Sequence, residues 1–180
     1  MELFDYFALQ CKSLADPYLL DRIFRKKHGG IYFKVYRNED EFYSFEIPKN
    51  WNHVETSDLY GVILSDSQRL EGKFSVKTVE SYYQDFDEYS NNLVEAIKEQ
   101  NGYGLKSQQK LKILSYNALE SEFSADAKVG PNHVSAIVKN LLIDDKTRER
   151  FVSITFTVLA RDYDKYKIIF ERVKKSFRFI

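Results

Sequence analysis

The stretch RFVSITFTVLA, residues Arg150 to Ala160, decides the fold. Val152, Ile154, Phe156 and Val158 alternate with Ser153, Thr155 and Thr157. Only a pleated strand sends every second side chain to the same side. One face of this strand must be buried and the other is expected to be wetter. The same period of two runs back through the chain. IYFKVY (Ile31–Tyr36) and FYSFEI (Phe42–Ile47), joined by the polar turn Arg37–Glu41, read as a hairpin. Pro48 then removes a ladder donor and ends the second strand. LYGVILSD (Leu59–Asp66) and KFSVKTVESYY (Lys73–Tyr83) follow, with a turn over Gln68–Gly72. Further strands are expected at Leu111–Ala127, with a break near Ser115 and Tyr116, and at His133–Ile143. GPN and DDKTRER read as hairpin turns.

Three segments change period. DFDEYSNNLVEAIKEQ, from Asp85 to Gln100, is a helix, with Asp85 as its cap and Glu88 at capping-box spacing. Phe86, Tyr89, Leu93 and Ile97 line one side, and Gly102 and Gly104 close it. A last helix starts near Asp162. Its apolar face is Tyr166, Ile169, Phe170, Val173 and Phe177, and Lys174, Lys175 and Arg178 complement its C-terminal dipole. The first thirty residues read as two short helices, with Leu3, Phe7, Cys11 and Leu14 on one stripe and a break at Asp16-Pro17. The expected organisation is therefore a helical N-terminal extension over residues 1–30 and a single α+β domain over residues 31–180. Consecutive hairpins give an antiparallel sheet, which the long helices flank.

Bulk composition narrows the function classes. The 180 residues suffice for one domain with a sizeable core. Lys plus Arg and Asp plus Glu both number 27, so the net charge is zero, which argues against wholesale nucleic-acid binding. Tyr and Phe together number 27 (13 and 14), a content that suits a β-rich core. The single cysteine, Cys11, excludes an internal disulfide and fits a reducing compartment. The start of the chain is a poor secretion signal, and no run is long enough for a membrane span.

EFYSFEIPKNW, a strand ending in Ile-Pro-x-x-Trp, resembles the opening of PsbP-like domains. The helix at Asp85–Gln100, the strands YNALESEFSA and RFVSITFTVLA, and the closing YDKYKIIFERVKKSFRF with its Ser176-Phe177 pair extend the likeness to Tyr32–Ile180. The resemblance implies an antiparallel sheet between helices. The superfamily includes the extrinsic PsbP subunit of photosystem II, DcrB-type lipoproteins, a Ran-binding nuclear transport factor and some secretion-effector chaperones. It therefore implies a protein-binding role without catalysis, and it would allow a processed extracytoplasmic or lumenal protein.

The chemistry-bearing residues are sparse. His28, His53 and His133 lie in three segments without metal-ligand spacing. Cys11 falls on an apolar stripe, where a thiol is an inert small hydrophobe. There is no nucleophile elbow and no phosphate loop, so no cofactor is expected. Glu120, Glu122 and Asp126 share one strand face. They read as a solvated face, or alternatively as an acidic strip meeting a basic partner. The basic clusters Arg22–His28 and Glu171–Arg178 sit at helix C-termini, where the dipole explains them. Trp51 reads as a plug between sheet and helix or as an anchor for a partner. The candidate binding residues are Trp51, His53, Tyr60, Tyr82, Tyr83 and Tyr103. A non-catalytic protein-binding or assembly module is the leading expectation. A pocket for a small apolar ligand or lipid is the alternative, and a metal enzyme using His53 or His133 comes third. A protein partner is expected, and the N-terminal helices offer a route to a homodimer.

Overall fold

The computed structural model describes residues 31–57, 61–66, 72–81, 85–100, 102–129 and 132–180. The predicted helical extension over residues 1–30, with Cys11 and His28, lies outside them.

Among the described residues, ten strands and two main helices follow one another along the chain. The hairpin of β1 (Phe33–Asn38) and β2 (Tyr43–Pro48) forms as expected. It does not join the main sheet. With the two-residue β10 (Arg178–Phe179) it makes a separate three-stranded sheet, ordered β1-β2-β10. The chain then passes through Lys49 and Asn50 into β3 (Trp51–Ser57), the first strand of a second sheet. Seven strands build that sheet in the order β3-β4-β5-β9-β8-β7-β6, every pair antiparallel. They are β4 (Gly61–Asp66), β5 (Gly72–Glu80), β6 (Tyr103–Ile113), β7 (Tyr116–Val129), β8 (Asn132–Asp145) and β9 (Arg150–Leu159). Pairing of β5 with β9 sends the intervening chain, α1 (Phe86–Lys98) and the meander β6-β7-β8, around to close beside the first hairpins.

Central β9 explains why the alternation is so clean. Val152, Ile154, Phe156 and Val158 face a core that contains Tyr43, Phe45, Phe74, Ile169, Phe170 and Phe177. The small sheet and α2 (Tyr163–Ser176) cover this face. The opposite face is less wet than its serines and threonines imply. Phe151 and Leu159 join Phe86, Val94, Phe123 and Leu142 in a second core under α1. Between them Asn140 Nδ2 donates to Ser153 Oγ at 2.8 Å and to Thr155 Oγ1 at 2.9 Å, so these polar groups are satisfied within the protein.

Both helices start and stop where the sequence places their signals. Asp85 accepts from the Asp87 and Glu88 backbone N–H groups at 2.8 and 3.3 Å. Gly102, at φ +86°, turns the chain after α1. Gly104, expected in that turn, is already inside β6 and pairs with Ser124. At the other end, Phe177 follows α2 and stacks near Tyr43 and Phe45, with centroids 6.2 and 6.4 Å away. Ser176 Oγ accepts from the Glu46 N–H at 2.8 Å, which fastens α2 to the small sheet.

Candidate functional site

The sequence-predicted residues do not converge. Trp51 is only 2% exposed and packs between Phe74 and Tyr166, with centroids 5.7 and 6.2 Å away. Gly72 leaves room for it, since a Cβ there would come within 3.4 Å of the indole and 2.8 Å of the Tyr166 ring. Trp51 is thus the packed plug. His53 is exposed on β3, at one edge of the main sheet. Tyr103 opens β6 at the other edge, half-buried against the α1 core. At about 4.8 Å per strand, those edges lie roughly 29 Å apart. His133 is on β8, four strand spacings from β3, which is roughly 19 Å. Among the described residues no group of three or more His, Cys, Asp or Glu side chains is placed to hold a metal. Tyr60, Tyr82 and Tyr83 lie outside the described residues.

On the acidic face of β7, Glu120 and Glu122 are covered by Lys139 and α2, while Asp126 is exposed beside Ser135. Register sets Glu122 opposite Lys139 on β8, and α2 brings Lys174 above them. Glu120 bonds Lys139 at 2.6 Å and Lys174 at 2.8 Å, and Tyr163 donates to Glu122 at 2.9 Å. Burial works to raise the Glu120 carboxyl, but the two lysines outweigh it and hold it below the ordinary glutamate range. Lys174 is consumed here, and Arg178 donates to the Lys175 and Phe177 carbonyls at 3.0 and 2.6 Å. Of the C-terminal basic cluster, Arg178 thus stabilises the helix end, while Lys174 is spent on Glu120 and Glu171.

A different site stands at the end of the sheet where β5 and β8 finish and β7 and β9 begin. A cleft of about 450 Å³ is walled there by Ser81, Asp85, Phe86, Asp87, Asn117, Asp144, Lys146, Glu149, Arg150 and Phe151. A second cavity of about 380 Å³ shares Phe86, Asp87 and Asn117 and continues past Lys110, Leu111 and Lys112. Together they form a groove across the N-terminus of α1. Asp144 lines the cleft, and Asp145, its neighbour in sequence, lies behind it. Asp145 is fully buried; its Oδ2 receives Arg150 Nε at 3.0 Å and Arg148 Nη1 at 3.5 Å, while its Oδ1 accepts no hydrogen bond. Arg150 also reaches Glu41 Oε2 at 3.0 Å and the Glu41 carbonyl at 2.5 Å, tying the β1–β2 turn to the main sheet. Arg148 donates to the Ile180 carbonyl at 2.6 Å.

Asp144 has no such partner. Its side chain is 6% exposed, its Oδ2 accepts no hydrogen bond, and the Lys146 ammonium is 3.9 Å away on a side chain 76% exposed. Burial raises its pKa, against the pull of Lys146 and the hydrogen-bonding Asn117 side chain; Asp145 and Asp85 push it further up. Four carboxylates thus face the cleft, and of its two cations Arg150 is already spent. A carboxylate desolvated and left one bond short is an acceptor for a cation. The signal for this site was DDKTRER itself: an acidic pair directly after the apolar run LLI, alternating into three basic residues. Taken as a surface turn, it concealed that the strand carries Asp144 and Asp145 into the interior.

No protein-family model and no curated protein matches the sequence. Solved structures do match in shape. The cyanobacterial PsbP protein CyanoP of Synechocystis sp. PCC 6803 superposes with a TM-score of 0.61 at 15% identity, over 85% of this chain and 95% of its own. The Ran-binding protein Mog1p of Saccharomyces cerevisiae gives 0.60 at 12% identity, over 83% and 96%. LpqN of Mycobacterium tuberculosis, involved in cell envelope biogenesis, gives 0.61 at 11% identity, over 88% and 95%. The chain has the PsbP-like fold.

Proposed function

We propose that the protein is a non-catalytic interaction module that receives a protein partner in the groove across the N-terminus of α1. The observation that carries this reading is the groove itself, where Asp144 is held buried with an unsatisfied oxygen beside the aromatic wall of Phe86 and Phe151. Burying an acceptor without a donor costs stability, and a partner that supplies the donor recovers it. The fold supports the reading in a coarser way, since one protein that shares it is described as Ran-binding. An apolar ligand or lipid would need a cavity lined by Tyr and Phe. Among the described residues aromatic side chains pack on one another, as in Phe74 with Phe156 at 4.8 Å and Tyr43 with Phe45 at 5.9 Å. The test is site-specific photo-crosslinking in cells of the source organism. A benzophenone side chain placed at Asp87 or Lys110 is expected to capture a discrete protein that the same group at Lys165 on α2 does not. Identical capture from all three positions would refute the groove as the contact surface.

A further inference from the structure

Resting on that reading, we infer that the cleft at Asp144 seats the guanidinium of an arginine presented by a basic segment of the partner. Asp85, Asp87 and Glu149 line the cleft with Asp144; Asp85 caps α1, Asp87 pairs with Lys110 at 2.8 Å, and Arg150 is already committed to Asp145 and Glu41. That leaves Lys146 as the cation near Asp144, and its 3.9 Å approach is longer than a hydrogen bond. An incoming guanidinium displaces this exposed side chain and opens the cover over Oδ2, which is shut from solvent in the free protein, to donate to it. Phe86 and Phe151, ring centroids 5.8 Å apart, line the same cleft as buried members of the α1 core and give it an apolar wall. Arginine suits the place better than lysine, because its planar fork is more weakly hydrated and binds a carboxylate through two donors. The volume of about 450 Å³ admits a whole side-chain head.

The probe is a blocked hexa-arginine peptide, measured by isothermal titration at low salt against the intact protein. Binding is expected to weaken at least tenfold in Asp144→Asn. It should weaken less than threefold in Asp87→Asn, which removes an exposed wall charge already paired with Lys110, and stay unchanged in Asp126→Asn, whose carboxylate lies elsewhere, beside Ser135. Hexa-lysine is expected to bind more weakly. Equal loss in all three variants would mean diffuse attraction to acidic surface and would overturn the inference, as would unchanged affinity in Asp144→Asn. If Asp144→Asn does not fold, the Asn117 side-chain amide resonances of the wild-type protein decide the matter. They should shift on peptide addition, and their standing still counts against the site. A partner crosslinked from the groove but held equally by Asp144→Asn would sink this inference and leave the proposed function standing. Peptide binding without any crosslinked protein would do the reverse.

Discussion

Phe177 closes the joint between α2, the small sheet and the main sheet, and its truncation is the sharpest test of how the layers hold together. The ring is fully buried. It stacks on Tyr43 and Phe45 and meets Phe179 edge-on, with centroids 5.0 Å apart. Phe177→Ala removes that packing and leaves a cavity which three rings and the end of a helix cannot readily collapse to fill. The expected loss is about 4 kcal/mol, from the 3–5 kcal/mol typical of buried Phe→Ala changes. At roughly 2–4 °C per kcal/mol for a chain of this size, the thermal midpoint falls by about 8–16 °C. Phe177→Leu keeps most of the volume and is expected to lose about 1–1.5 kcal/mol. Tyr32→Ala, at an exposed position, is expected to stay within about 0.5 kcal/mol. Urea and thermal unfolding followed by circular dichroism measure all three. A loss below about 1.5 kcal/mol for Phe177→Ala would refute the packing of the small sheet against α2.

The charged groups give two further outcomes. Asp144→Asn is expected to raise stability at neutral pH by about 1 kcal/mol, because it replaces a buried charge by a neutral amide. A raised folded-state pKa means that the penalty is present while Asp144 is ionised and fades as pH falls through that value. The advantage of Asn over Asp in unfolding midpoints should shrink in the same acid range. Glu120 has the opposite sign. Its lowered pKa means its contribution is intact above the ordinary glutamate range and is lost as pH falls below it, and Glu120→Gln should flatten that acid limb of the stability profile. Gly61 stands at φ +69°, where a Cβ would lie 2.1 Å from the Val76 carbonyl oxygen. Gly61→Ala should therefore cost at least about 2 kcal/mol in urea unfolding, by left-handed strain and overpacking together.

Where burial was uniform along an element, the sequence revealed it. The period of two over Val152–Val158, the Asp85 cap and the Tyr166–Val173 face each arise from local rules, and each stands in the structure. The start of β6 was missed because an edge strand needs no apolar alternation. Lys106, Gln108 and Lys110 are exposed, and lysine protects the open edge. The split into two sheets was missed because it depends on a two-residue passage at Lys49 and Asn50, and on β10 pairing across the whole chain to Tyr43 and Ser44. Glu120 and Glu122 looked like solvated charges because their partners come from Lys139 and Lys174, which only register and helix docking bring near. Asp144 was hidden in the same way. Whether an aspartate in a turn-like sequence is exposed or buried is decided by where the strand ends, and β8 extends through Asp145.

Central to the proposed groove is one oxygen: Asp144 Oδ2 accepts no hydrogen bond in the free protein, and a partner's cation is proposed to complete it. The proton titration of Asp144, followed through its carboxyl ¹³C resonance with and without hexa-arginine, reads that claim directly. In the free protein the midpoint should lie above the ordinary aspartate value. A guanidinium docked on the ionised form favours it, so the midpoint should fall when the peptide is bound. A midpoint that starts at the ordinary value, or one that the peptide leaves in place, would contradict it.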